Sequence, residues 1–144
     1  MKFFNSTLIA VAVATAVAAQ RANIGFPTNG TDVIAGKDLL IEVDRPNFLS
    51  SAVEVAIVLG LTSCASYPCG APSERGVGRI LYSGPFNPQY KLDYPRLPPH
   101  QNFTVSIPGD LAKGMAQISL TQFDLVGASL IPSTSYDTIY VNVV

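Results

Sequence analysis

The chain has 144 residues, 13% of them charged, with 2 Cys, 1 His and no Trp. A net charge of −1 offers no basic face to displace counterions from nucleic-acid phosphates, and 48% apolar content argues against disorder. One histidine excludes a site built on two imidazoles, and two cysteines cannot by themselves complete a zinc site.

The N-terminus reads as a targeting segment. In residues 1–19, MKFFNSTLIAVAVATAVAA, Lys2 is the only charge and a small-and-apolar stretch runs from Leu8 to Ala19. Ala16, Ala18, Val17 and Ala19 supply the small residues that signal peptidase requires, and the run is too short for a membrane span. The expectation is a signal peptide over 1–19, a secreted product, and one extracellular domain over 20–144. No later hydrophobic stretch is long enough to span a bilayer. All 11 Gly and all 11 Pro lie beyond the signal, which leaves little room for long helices.

Strands follow in chain order. Ala22–Phe26 is a weak first strand, which Thr31–Ile34 extends. In residues 37–44, KDLLIEVD, Leu39, Ile41 and Val43 alternate with Leu40, Glu42 and Asp44, the period of a half-buried strand. Residues 53–61, VEVAIVLGL, are nearly all apolar and read as a central strand covered on both faces. Gly78–Ser83 is closed by Gly84 and Pro85. Residues 84–100 carry five prolines and read as a stiff extended loop. Gln101–Ile107 turns Phe103, Val105 and Ile107 inward. Met115–Phe123 sets Ile118 and Leu120 opposite Gln117, Ser119 and Thr121. Tyr136–Val143 closes the domain. About seven strands, most followed by Gly/Pro turns, predict an all-β fold: an immunoglobulin/fibronectin-like antiparallel β-sandwich.

Cys64 and Cys69 follow the central strand in S-C-A-S-Y-P-C-G, and in an oxidising compartment the expected state is a disulfide. Asn29-Gly30-Thr31 and Asn102-Phe103-Thr104 are N-glycosylation acceptors. His100 sits in a loop and reads as a surface residue. Without a His at the mature N-terminus, a copper histidine brace is excluded. Glu42, Asp44 and Glu54 are the acids that glycoside hydrolysis would need to bring together, but sparse acids on sandwich edges are expected to be solvated or paired with a nearby Arg. Asp32, Asp38 and Asp44 lack a dense calcium-ligand loop, so no metal or cofactor is expected. Tyr67, Phe86, Tyr90 and Tyr94 fall in loops, where aromatic residues mark binding surfaces. A row of tyrosines there would also suit stacking against a polysaccharide.

Several runs carry a family resemblance in one order. They are Ile41–Pro46, Glu54–Gly60, the Cys64/Cys69 loop, Ile80–Tyr90, Gln101–Pro108 and Phe123–Ala128. Together they resemble the fungal necrosis-inducing secreted proteins, the Nis-type effector family. The resemblance implies a small secreted fungal protein with no known enzymatic activity. Some members trigger cell death in plants and suppress pattern-triggered immunity by binding immune receptor-like kinases and associated cytoplasmic kinases. The expected partner is therefore a protein, a plant receptor-like kinase. A cell-wall carbohydrate is the alternative, and neither nucleic acid nor a membrane is expected. The segment Ser129–Tyr136 departs from the family pattern.

Overall fold

A computed structural model of the chain describes residues 21–47, 51–93 and 97–144. The signal segment predicted over 1–19 lies outside the described residues. Eight strands form among them: β1 (Asn23–Phe26), β2 (Thr31–Val33), β3 (Asp38–Asp44), β4 (Ala52–Ser63), β5 (Arg79–Gly84), β6 (His100–Ser106), β7 (Gly114–Val126) and β8 (Ile131–Val143). A single helical turn, α1 (Pro72–Arg75), interrupts them.

Two sheets face each other. The smaller is antiparallel in the order β1-β3-β6, and the larger runs β2-β8-β7-β4-β5. The expected sandwich is therefore present. Thr31–Val33 does not extend the first strand. It crosses to the other sheet and pairs in parallel with Val141–Val143. The final strand begins earlier than its hydrophobic alternation indicates, at Ile131, because β7 pairs with it along thirteen residues, from Gly114↔Val143 to Val126↔Ile131.

Strand alternation directs one face of every long strand into the space between the sheets. Ile41 and Val43 of β3 and Phe103 and Val105 of β6 meet Ile57, Leu59 and Leu61 of β4, Ile118 and Leu120 of β7, and Ile139 and Val141 of β8. Each such side chain contributes about 1.5–3 kcal/mol by leaving water.

β4 lies between β7 and β5, as its apolar run requires, but its two faces differ along its length. Val53 and Val55 are exposed on the outer face near its start. Farther on, residues 64–78 fold back over the sheet. Gly60 permits that approach: a Cβ there would overlap the carbonyl oxygen and Cβ of Val77. The disulfide Cys64–Cys69 sits in this covering segment, with the two Cα atoms 5.2 Å apart.

Gly60→Ala should push Val77 off the sheet. Because the obstacle is backbone rather than a flexible side-chain tip, the expected loss is about 1–3 kcal/mol, read as a lower denaturant midpoint.

Candidate functional site

The loop aromatics do not form one surface. Phe86 is buried at 3% exposure, with its ring 6.5 Å from that of Phe103, so it belongs to the core. The pattern of residues 84–90 does not reveal this, because the loop folds back and pairs Gln89 with His100. Tyr67 is 78% exposed beyond the end of β4, in the disulfide loop. Tyr90 is exposed near the opposite end of that strand, where Asn47 donates a hydrogen bond to its hydroxyl. Tyr94 lies outside the described residues. Twelve residues of β4, at ~3.3 Å each, separate the two described tyrosines.

His100 is not a surface residue. It is 9% exposed at the start of β6, with Nδ1–H donating to the Pro98 carbonyl at 3.0 Å and Nε2 3.9 Å from Glu42 Oε2. Asp44, opposite His100 in the β3–β6 ladder, shares this outer face of the smaller sheet. Burial and the neighbouring Glu42 push the Asp44 carboxyl above its usual range, while His100 and an Asn23 hydrogen bond oppose them. Asp38 stands at the other end of β3, and Asp32 belongs to the other sheet.

The carboxylates at the β4 end have structural partners. A bulge after Glu54 turns that residue inward, directly across the ladder from Asp124. Arg45, 5% exposed just past β3, joins both: its Nε pairs with Glu54 Oε1, and Nη2 lies 3.3 Å from Asp124 Oδ2. Gln122 extends the network. Its Nε2 donates to Glu54 Oε2 at 2.6 Å, and its Oε1 accepts from Ala22 N and Ser135 Oγ. Sequence alternation could not reveal these polar contacts, since each partner comes from a different strand or connecting segment.

The outer face of the larger sheet presents a different chemistry. The outward positions of β7 are Met115, Gln117, Ser119, Thr121, Phe123 and Leu125, and those of β8 are Pro132, Thr134, Tyr136, Thr138, Tyr140 and Asn142. With Val53, Ala56, Val58, Gly60 and Thr62 of β4 beside them, none carries a charge. The chain covers the polar half: Gln117 and Ser119 are fully buried, and Gln117 Nε2 donates to Gly70 O at 2.9 Å. It leaves the apolar half bare, with Val53 51%, Val55 40% and Phe123 38% exposed. Leu125 lies between Val53 and Pro132 in register, so the patch is continuous across three strands. Both acceptor asparagines are exposed, Asn29 in the turn before β2 and Asn102 on β6.

The profile of the Nis1 family matches residues 17–143. The chain belongs to the Nis1 family. No curated protein sequence matches it. Among solved structures, it is similar to a superoxide reductase (neelaredoxin) from Ignicoccus hospitalis, at 14% identity over 84% of this chain and 80% of that one, with a TM-score of 0.46. A cellulose-active polysaccharide monooxygenase from M. thermophila matches at 14% identity over 80% of this chain and 54% of that one, with a TM-score of 0.49. Fibronectin(III)-like modules of Clostridium thermocellum CbhA match at 11% identity over 85% and 95%, with a TM-score of 0.40. Likeness of this degree carries no statement about chemistry.

Two predictions follow from the electrostatics of this Nis1 protein. Arg45→Leu leaves Glu54 and Asp124 facing each other without their cation, and chemical denaturation should register a loss of about 3–5 kcal/mol. For Asp44, the folded carboxyl holds its proton more tightly than the unfolded one, so ionisation costs stability as pH rises through the two values. Asp44→Asn should therefore melt above wild type at neutral pH. The gap should close as pH falls below the ordinary value of 3.8.

Proposed function

We propose that this Nis1 protein is a secreted, non-enzymatic effector that acts by protein–protein contact, with plant immune receptor-like kinases as its partners. Family membership supports the effector reading. The observation that carries the contact mode is the bare patch of Val53, Val55, Phe123 and Leu125, among outward positions of β4, β7 and β8 that carry no charge. The chain spends its covering segment on the neighbouring polar half and leaves these apolar side chains to water. A contiguous apolar surface of this kind on a soluble domain marks an interaction site. Asn29 and Asn102 are open to glycosylation, in keeping with passage through the secretory pathway. The only histidine is held between a backbone carbonyl and Glu42, a packed arrangement that supports a structural role.

A second reading, attachment to wall carbohydrate, has one favourable observation. Exposed Tyr67 borders a cavity of about 140 Å³ that Arg75 and Gln117 also line, and Gln117 Oε1 has no hydrogen-bond partner among the described residues. Retention on chitin, glucan or cellulose that disappears in Tyr67→Ala would favour this reading.

The main test is expression of residues 20–144 in leaves, with immune output measured alongside co-precipitation of receptor-like kinases. The native protein should bind a kinase and dampen the response. Val53→Asp with Phe123→Asp, at solvent-exposed positions, should weaken binding at least tenfold, because a charge in an apolar contact must be desolvated without a partner. A native protein that binds no kinase and leaves immune output unchanged would refute the proposal.

A further inference from the structure

The strand β8 is paired unequally on its two sides. β7 accompanies it throughout, whereas β2 covers only Val141–Val143. On the side away from β7, Tyr140 N donates to Asn29 Oδ1 at 2.7 Å and Tyr140 O accepts from Gly30 N at 2.8 Å. Antiparallel alternation points the backbone groups of Thr138, Tyr136, Thr134 and Pro132 toward the same edge. Among the described residues, Tyr136 O meets only the Arg21 guanidinium, at 3.5 Å and exposed to solvent. Pro132 fits this assignment, since its missing N–H falls where β7 needs no donor. From Pro132 to Tyr136 the edge is thus an unpaired template of the kind to which extended chains add.

A cavity of about 310 Å³ opens beside that edge, where Arg21, Asp124, Val126, Ser133 and Ser135 meet. Asp124 is 3% exposed. Its Oδ2 is held by Arg45, but its Oδ1 has no hydrogen-bond partner among the described residues. A buried carboxylate oxygen without a donor is costly, and Arg45 here already serves two carboxylates.

The geometry points to a peptide-docking groove. An extended segment adds as a strand to Pro132–Tyr136 and sends one Lys or Arg side chain into the cavity toward the Asp124 carboxylate. The incoming backbone supplies the donors and acceptors that the edge lacks, and displaces Arg21 from the Tyr136 carbonyl. The aliphatic stem of the Lys or Arg packs beside Val126 while its cation offsets the second carboxylate of the Arg45 cluster. Side chains alternate along a strand, so only every second residue of the peptide faces the cavity. The inference rests on the reading that the protein acts by protein contact, and it adds a site and a chemistry to that reading.

The test titrates the mature protein with an acetylated, amidated heptapeptide, Thr-Val-Thr-Lys-Thr-Val-Thr, and with the same peptide carrying norleucine or Glu in place of Lys. Amide NMR shifts locate binding and give its affinity. The Lys peptide should shift Thr134 and Tyr136 and bind at least tenfold more tightly than the norleucine peptide. Asp124→Asn should abolish that preference. Thr134→Pro removes an edge N–H without touching the β7 ladder and should abolish binding. Equal affinity for Lys and norleucine, binding that survives Thr134→Pro, or no shift at the β8 edge with any peptide would each overturn the groove. The Lys and norleucine peptides are compared on the native protein, so that result stands even where Asp124→Asn does not fold. Kinase binding without peptide binding removes the groove and leaves the effector reading. Peptide binding without kinase binding does the reverse.

Discussion

Arg45 is the tie on which one end of this sandwich depends. It leaves the smaller sheet at the end of β3 and inserts its guanidinium between two carboxylates of the larger one. Glu54 and Asp124 are directly opposed across the β4–β7 ladder, a pairing of like charges that repels unless a cation intervenes. The Arg45 backbone also donates to Pro99 O at 2.7 Å, which anchors the long segment between β5 and β6. Through Glu54 the tie reaches Gln122, and through Gln122 the backbone of Ala22 ahead of β1. A buried ion cluster of this kind is weak as a source of net stability, but removing one partner is severe. Its effect is to set which segments meet at this end.

The same cluster shapes what the protein offers to others. Arg45 holds one oxygen of Asp124, and the other is buried without a hydrogen-bond partner among the described residues, in a residue that lines the cavity at the β8 edge. The apolar patch of Val53, Phe123 and Leu125 lies on the outer side of the same strands. The disulfide, by contrast, closes residues 64–69 at the far end, next to Gly70, whose carbonyl accepts from Gln117. The chain's cross-link thus lies in the cover of a polar surface, and the apolar surface stays open.

Legibility in the sequence followed the range of the interactions. The inward set of Phe103, Val105 and Ile107 was readable because strand alternation is local. So was the Cys64–Cys69 bridge, since the two residues are five apart and a two-cysteine chain has one internal pairing. Phe86, His100 and Thr31–Val33 were not readable. Phe86 lies in a proline-rich stretch whose return path is set by Gln89 meeting His100, and Thr31–Val33 finds its partner over a hundred residues away. Residues 131–135 lack the apolar alternation from which the last strand is read, yet β7 draws them into a strand.

By itself, the sequence determined the two-layer β architecture, the bridge and the family, because period-two patterning, short cysteine spacing and the order of motifs are properties of adjacent residues. The tertiary structure alone decided which polar groups are buried, which aromatic residues are core, and which strand edge and sheet face remain open. Those outcomes depend on what each segment meets after the chain has folded. No local pattern encodes the identity of a neighbour some 79 residues away, as Arg45 and Asp124 show.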